Sequence, residues 1–274
     1  MIRDVEGRHN HSVKLARKLQ KRKYRRERSL IVGEGLDLVC IAVEAHASVV
    51  DVLVREDVLP QLPPALLRDA ERGALDVGVC SEETLAYASS LGGSADVVFV
   101  ARQPTWSLAD ISLEDGMTVY LEGVGDPGNV GTLARGCVAF GAAGMVVSPG
   151  TADPYGPKSL RAGMGAQFEL PIVTEVGPDD LTARLQSVAA AGGRPPEIVV
   201  ADPHEGVDVR DLPLQGGVAL ILGSERTGPG PSWEGSRRVN VRQDRFDSLN
   251  VAMAGTILLY ELSGRRAASF VPVD

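Results

Sequence analysis

Short runs of β-branched and aliphatic residues recur along this chain, separated by stretches with helical spacing. That alternation restricts the fold more than any other feature. Two strands joined through a helix lie parallel in one sheet, because the crossover turns the chain round twice. In the second half the apolar runs are 117–121, 144–148, 171–173, 197–201 and 217–222, with a short one near 238–242. Helices are expected at 130–140, 157–165 and 178–191, and a long closing helix from Leu249 to about Gly264. The first half repeats the scheme on a smaller scale. Strands are expected at 29–33, 49–54, 75–79 and 97–101, with helices at 36–45 and 65–71 and another begun by Ser81-Glu82-Glu83. The predicted class is α/β, with a mostly parallel sheet covered on both faces.

At 274 residues the chain can hold two cores. Gln103-Pro104 and the acidic stretch to Gly116 read as a linker, giving an N-terminal domain over 1–104, a linker over 105–116 and a C-terminal domain over 117–274. No apolar run approaches the roughly 20 residues that cross a bilayer, and the charged N-terminus has no apolar signal core. Cys40, Cys80 and Cys137 form an odd, scattered set. A cytoplasmic protein with no membrane contact is expected. His9 and His11 make an H-x-H with no further Cys or His beside it, so no metal site is expected.

The net charge of −8 argues against a nucleic-acid partner, but its distribution argues for one. Residues 1–28 carry eleven Lys or Arg against three acids, a net of +8, which leaves −16 on the other 246 residues. A basic block on an acidic body is the footprint of a polyanion contact. Ser12 can cap a helix running to about Arg28, with Lys21, Arg22, Arg25 and Arg26 as candidate phosphate contacts.

Three turn motifs end apolar runs, where α/β proteins place their ligands. They are Asp126-Pro127-Gly128-Asn129-Val130-Gly131-Thr132-Leu133-Ala134-Arg135, then Leu222-Gly223-Ser224-Glu225-Arg226-Thr227-Gly228, and Asp247-Ser248-Leu249-Asn250-Val251-Ala252. Gly123 to Gly128 also spells G-x-G-x-x-G, which raises a dinucleotide enzyme as a rival. That reading needs an acid closing the next strand, where this chain has Ser148-Pro149-Gly150, and backbone donors in a turn where Pro127 has none.

At these residues the chain resembles the SpoU-type (TrmH-type) RNA 2′-O-ribose methyltransferases. Asn129 and Arg135 keep the six-residue spacing of the family's first motif. Lys158, Arg161 and Ala162, then Met164-Gly165-Ala166 and Pro171-Ile172, follow its next segment. Gly223-Ser224-Glu225 and Ser248-Leu249-Asn250-Val251 match the second and third motifs. Upstream, residues 13–19 and Val32-Gly33-Glu34-Gly35 resemble a substrate-binding domain like ribosomal protein L30e. The resemblance implies a trefoil knot in the C-terminal domain and a homodimer packed across the closing helix. It implies S-adenosylmethionine held near Gly223, Val241 and Leu249, and RNA met through the basic block with Lys158 and Arg161. The apolar face Val251, Ala254, Leu258 and Leu262 suits a buried helix as well as an interface. The family usually has apolar-Pro-apolar and a glycine loop before Ser248. Here Val241-Arg242-Gln243-Asp244-Arg245-Phe246-Asp247 departs from it, which makes Arg242 and Arg245 further candidates for RNA.

The implied reaction is attack of a ribose 2′-hydroxyl on the cofactor's methyl group. Arg135 would stand beside ribose and phosphate. Because arginine stays protonated, it suits a clamp for developing alkoxide better than a general base. Asn129, Glu225, Ser248 and Asn250 would fix Arg135 and the loops, although Asn129 and Ser248 also fit as caps of the helices they precede. Ribosomal RNA, 23S above all, is the expected substrate, and the resemblance extends to enzymes that protect antibiotic producers' 23S rRNA. A tRNA methyltransferase and a non-catalytic RNA-binding relative are the alternatives.

Overall fold

The basic N-terminal stretch, expected as one helix, folds as two. A computed structural model describes the chain except 91–94, 115, 225–226, 246–247 and 270–274, with side chains of the closing helix to Gly264. Strand β1 (Ile2–Asp4) comes first, then α1 (His11–Leu19) and α2 (Arg22–Arg28). Asn10, not Ser12, caps α1, accepting the Ser12 N–H at 2.9 Å. Val13, Leu15, Ala16 and Leu19 are buried at helical spacing, while Lys14, Arg17 and Lys18 are exposed. Arg25 holds the break between the helices. Its Nη1 donates to the Leu19 and Gln20 carbonyls at 2.7 and 3.0 Å, groups that the end of a helix leaves without a partner.

The chain continues through β2 (Leu30–Glu34), α3 (Leu36–Glu44), β3 (Val49–Val54), α4 (Pro64–Glu71), β4 (Asp76–Val79), α5 (Glu82–Ala88) and β5 (Val97–Arg102). There follow β6 (Met117–Glu122), α6 (Pro127–Ala139), β7 (Gly144–Val147), α7 (Pro157–Gly163), β8 (Ile172–Thr174) and α8 (Pro178–Ala190). The last elements are β9 (Glu197–Ala201), β10 (Val207–Asp208), β11 (Val218–Gly223), β12 (Arg237–Asn240) and α9 (Val251–Ser269).

These elements form two compact units. Met1–Pro104 packs with Tyr155–Glu169, and Thr105–Pro154 with Leu170–Asp274. Residues 155–169, assigned from sequence to the C-terminal domain, thus group with the first unit. There α7 lies on β2, and Gly165, at a φ of +77°, comes so close to α3 that an added Cβ would stand 2.6 Å from Ile41. The sheet of the first unit runs β1-β4-β3-β5-β2, with β1, β4 and β3 parallel and β5 antiparallel to both neighbours.

The sheet of the second unit has seven strands in the order β10-β12-β9-β11-β6-β7-β8, every pair parallel. Its central strands β6 and β11 are buried from Met117 to Leu121 and from Val218 to Leu222, as expected for strands covered on both faces. From β6 the chain steps to β7 and β8, crosses to β9 on the far side, and inserts β11 between β9 and β6. The direction of winding therefore reverses at β6 and β11. In open parallel sheets a ligand crevice forms outside the carboxyl ends of the strands at such a point.

Helix α9 covers α6 at close range. A Cβ on Gly255 would stand 2.4 Å from Leu133 Cδ2 and 2.8 Å from Leu222 Cδ1, so only glycine permits the approach. Val251, Leu258 and Leu262 are buried, which resolves that apolar face as core. A second stripe, Met253, Ile257 and Tyr260, is exposed at helical spacing.

Candidate cofactor and RNA site

Three loops from separate parts of the sequence meet at the carboxyl ends of β6, β9, β11 and β12. The first leaves β6 at Gly123, whose φ of +70° turns the chain sharply. The Gly123 N–H is shared between Ser148 Oγ and Thr151 Oγ1, each at 3.0 Å, and Thr151 Oγ1 donates to the Leu121 carbonyl. The Ser148-Pro149-Gly150 turn, which told against a dinucleotide fingerprint, thus braces this loop. Asp126 caps α6 by accepting the Asn129 N–H at 3.0 Å, and Pro127 sits in the first turn, where no amide is needed. Asn129 is therefore inside the helix and is not its cap.

The second loop follows β11. Gly223 lies opposite Glu122 in the β6–β11 register. A Cβ on Gly223 would fall 2.2 Å from Pro229 N and 2.3 Å from Gly228 C, so the loop folds directly over this residue. Ser224 closes the turn, its Oγ accepting the Thr227 N–H at 3.1 Å and its carbonyl accepting the Gly228 N–H at 2.9 Å. Glu225 lies outside the described residues. Glu122, which sequence reasoning passed over, clamps the far side of the loop. Its Oε2 accepts the Gly230 N–H at 2.8 Å and the Trp233 indole N–H at 2.9 Å. Trp233 is buried edge-on against Tyr120, with centroids 5.5 Å apart. The signal was a carboxylate closing an otherwise apolar strand.

The third loop leads into α9, and Asn250 rather than Ser248 caps that helix. Asn250 Oδ1 accepts the N–H groups of Ala252 and Met253 at 2.9 and 3.3 Å. Its Nδ2 donates to Asn129 Oδ1 at 3.2 Å, joining the first and third motifs across 121 positions of sequence. Ser248 is exposed.

The second and third loops, with the ends of β9 and β12, line a cavity of about 450 Å³, within the range of small-molecule sites. Gly223, Val241, Leu249 and Ser248 all line it, with Leu222, Val251, Ala254 and Leu258 forming an apolar wall. Asp202 and Arg238 line it too and are ion-paired, and Asp202 also accepts the His204 and Glu205 N–H groups. Burial raises the Asp202 pKa, but those two amides and Arg238 outweigh it and leave the carboxyl below its ordinary value. Burial pushes the Cys137 thiol of α6 up to about 12, which removes it as a nucleophile. Among the described residues no group of three or more His, Cys, Asp or Glu is placed to hold a metal ion, and no helix is long and apolar enough to cross a membrane.

Arg135 is exposed and makes no hydrogen bond or ion pair among the described residues. Six positions from Asn129, it faces away from the asparagine pair and shares the outer face of α6 with exposed Val138. In the first unit Lys21, Arg26, Lys158 and Arg161 are exposed and Arg22 is half-buried. Arg25 is 4% exposed and committed to backbone carbonyls, which takes it out of any RNA-facing surface. Arg242 and Arg245 are exposed.

Two family models match separate parts of the chain. Residues 116–260 match the SpoU rRNA Methylase family, and residues 10–98 match the MRM3-like substrate binding domain. The 23S rRNA (guanosine(2553)-2′-O)-methyltransferase RlmP of Bacillus subtilis is 27% identical over 266 residues, covering 96% of this chain and 100% of that protein. A 23S rRNA (uridine(2479)-2′-O)-methyltransferase of Streptomyces viridochromogenes is 33% identical over 183 residues, 64% of this chain and 63% of the relative. The SpoU methyltransferase AviRb from Streptomyces viridochromogenes, solved with AdoMet, superposes with a TM-score of 0.82 at 27% identity, covering 95% of this chain and 99% of that one. The chain belongs to the SpoU rRNA methylase family and is an S-adenosylmethionine-dependent RNA 2′-O-methyltransferase.

Proposed function

We propose that the protein methylates a ribose 2′-hydroxyl of 23S ribosomal RNA. The observation that carries this is the meeting of Gly223, from the loop after β11, with Val241, Ser248 and Leu249, from the stretch between β12 and α9, around one cavity at the carboxyl ends of a parallel sheet. The residues fit the cofactor: Gly223 leaves open a cradle that any side chain would fill, and the apolar wall suits a base. When bound, S-adenosylmethionine supplies an electrophilic methyl group. Gly223, Val241 and Leu249 hold it. Asn129 and Asn250 hold α6 and α9 in register, while Ser248 shapes the loop at the cavity rim. Arg135 binds the target phosphate and stabilises the charge that develops on the 2′-oxygen, whose proton passes to a phosphate oxygen of the RNA and on to water.

The finer architecture belongs to the same reading. The second unit is a trefoil knot, in which the loops after β11 and β12 pass through one another before α9. The first unit is an L30e-like RNA-binding domain that offers Lys21, Arg22, Arg26, Lys158 and Arg161 to phosphate. The protein is a homodimer joined along the exposed apolar residues Val138, Met253, Ile257 and Tyr260 of α6 and α9. It works in the cytoplasm, in keeping with three free cysteines.

The test is methyl transfer from labelled S-adenosylmethionine to unmodified 23S rRNA, 16S rRNA and tRNA, followed by nucleoside digestion. A labelled 2′-O-methylnucleoside from 23S rRNA alone is expected. Label in tRNA alone would overturn the substrate assignment. A resistance role would raise the inhibitory concentration of a ribosome-targeting antibiotic in cells carrying the gene, and an unchanged concentration would remove it.

A further inference from the structure

Gln243 stands in the loop where this chain departs from its family, and it lines the cavity. Its Oε1 is shut off from solvent and has no hydrogen-bond donor. Among the described residues it is the one such orphaned side-chain atom on this cavity wall. A buried acceptor without a donor is costly, so the position calls for a ligand that brings one. Because Oε1 is closed to water as it stands, a ligand in the cavity would meet it once the amide turns about its last torsion, which is broad and roughly two-fold.

The chemistry of the side chain selects the partner. A primary amide sets an acceptor beside a donor, the complement of the adenine edge, where an exocyclic N–H lies beside a ring nitrogen. The ammonium and carboxylate at the other end of the cofactor would favour charged partners, and the same cavity offers Asp202 and Arg238. Leu222 and Leu249 supply an apolar slot for a flat base.

We infer that the Gln243 side chain reads the adenine 6-amino group of S-adenosylmethionine, a specificity contact made by this chain's own loop. The inference rests on the cofactor reading above. Its test is the equilibrium affinity of the full-length protein for two probes, S-adenosylhomocysteine and its analogue with hydrogen in place of the 6-amino group. Wild type should prefer the amino compound by about 10-fold, the value of one buried hydrogen bond. In Gln243→Leu the preference should fall to near unity. The melting temperature without ligand should hold or rise, because the substitution removes an unsatisfied group. A purely structural glutamine would give the opposite, a lower melting temperature with the preference intact, and that result overturns the inference. Equal affinities in wild type overturn it without any variant, even if Gln243→Leu fails to fold. Failure of wild type to bind either probe would instead bring down the cofactor reading itself.

Discussion

Gly223→Ala adds one methyl group at the more crowded of the two glycines that line the cavity. Its Cβ would lie 2.2 Å from Pro229 N, 2.3 Å from Gly228 C and 2.6 Å from Gly228 O. Ordinary contacts are about 3.5 Å or longer, so the loop must retreat by about 1.3 Å, and it is backbone rather than a flexible side-chain tip that has to move. Overpacking of this kind costs about 2 kcal/mol, or about 4–8 °C in melting temperature for a unit of this size. The functional loss should be larger, because displacing a positioned group by about 1 Å can lower kcat/KM by about 100-fold. Gly125→Ala is the control. Gly125 belongs to the neighbouring loop, yet a Cβ there meets nothing within 4 Å. Thermal melts, S-adenosylhomocysteine titration and methyl transfer on both variants decide the matter. Wild-type behaviour of Gly223→Ala, or equal damage from Gly125→Ala, would refute the argument that the fold over Gly223 shapes the site.

Arg135→Ala should abolish methyl transfer while leaving cofactor affinity within a few-fold, as expected of a group that faces RNA; loss of cofactor binding would refute the clamp role. Neutralising Lys21, Arg22 and Arg26 together should weaken RNA binding and flatten its salt dependence by up to about one log-log unit for each phosphate that the protein no longer neutralises, and an unaltered slope would show that this surface does not meet RNA. Arg25→Ala should behave differently, lowering stability by about 2–3 kcal/mol through two backbone carbonyls left without their charged donor. Urea denaturation of the variant checks this. Asp51 carries a pH effect: burial first, and the Asp76 charge in addition, raise its pKa above the ordinary value. The folded state then binds the Asp51 proton more tightly than the unfolded chain, so stability falls as pH rises from the unfolded carboxylate value through the folded one. Asp51→Asn should therefore be the more stable form at pH 8, with the gap narrowing toward pH 4; urea midpoints that keep one constant gap across that range would refute it.

Much of this protein is legible along the chain, because strands and helices announce themselves by local period. The runs at 117–121, 197–201 and 217–222 became β6, β9 and β11 to within about a residue. The strands that escaped, β1 and β10, have three and two residues, too few to show any period, and backbone pairing alone defines them. The motifs bearing Gly223, Leu249, Asn129 and Asn250 also stand out as sequence, since glycine turns and caps are local devices. What each polar group does there is not local. Whether Asn10 or Ser12, Asn250 or Ser248, caps a helix depends on which side chain reaches the free amides. Arg25 and Arg26 are neighbours of one type, and only the path of α1 turns one inward to its carbonyls and the other to solvent. Glu122 gained its partners, Gly230 and Trp233, more than a hundred residues away. Bringing the loop after β11 and the stretch before α9 around one cavity required β9 to pair with both β11 and β12, a choice made by long-range strand pairing. Periodicity and turn chemistry lie within a few residues of one another and so determine the elements; the site is set by contacts between residues far apart in the chain, which only the packed structure can decide.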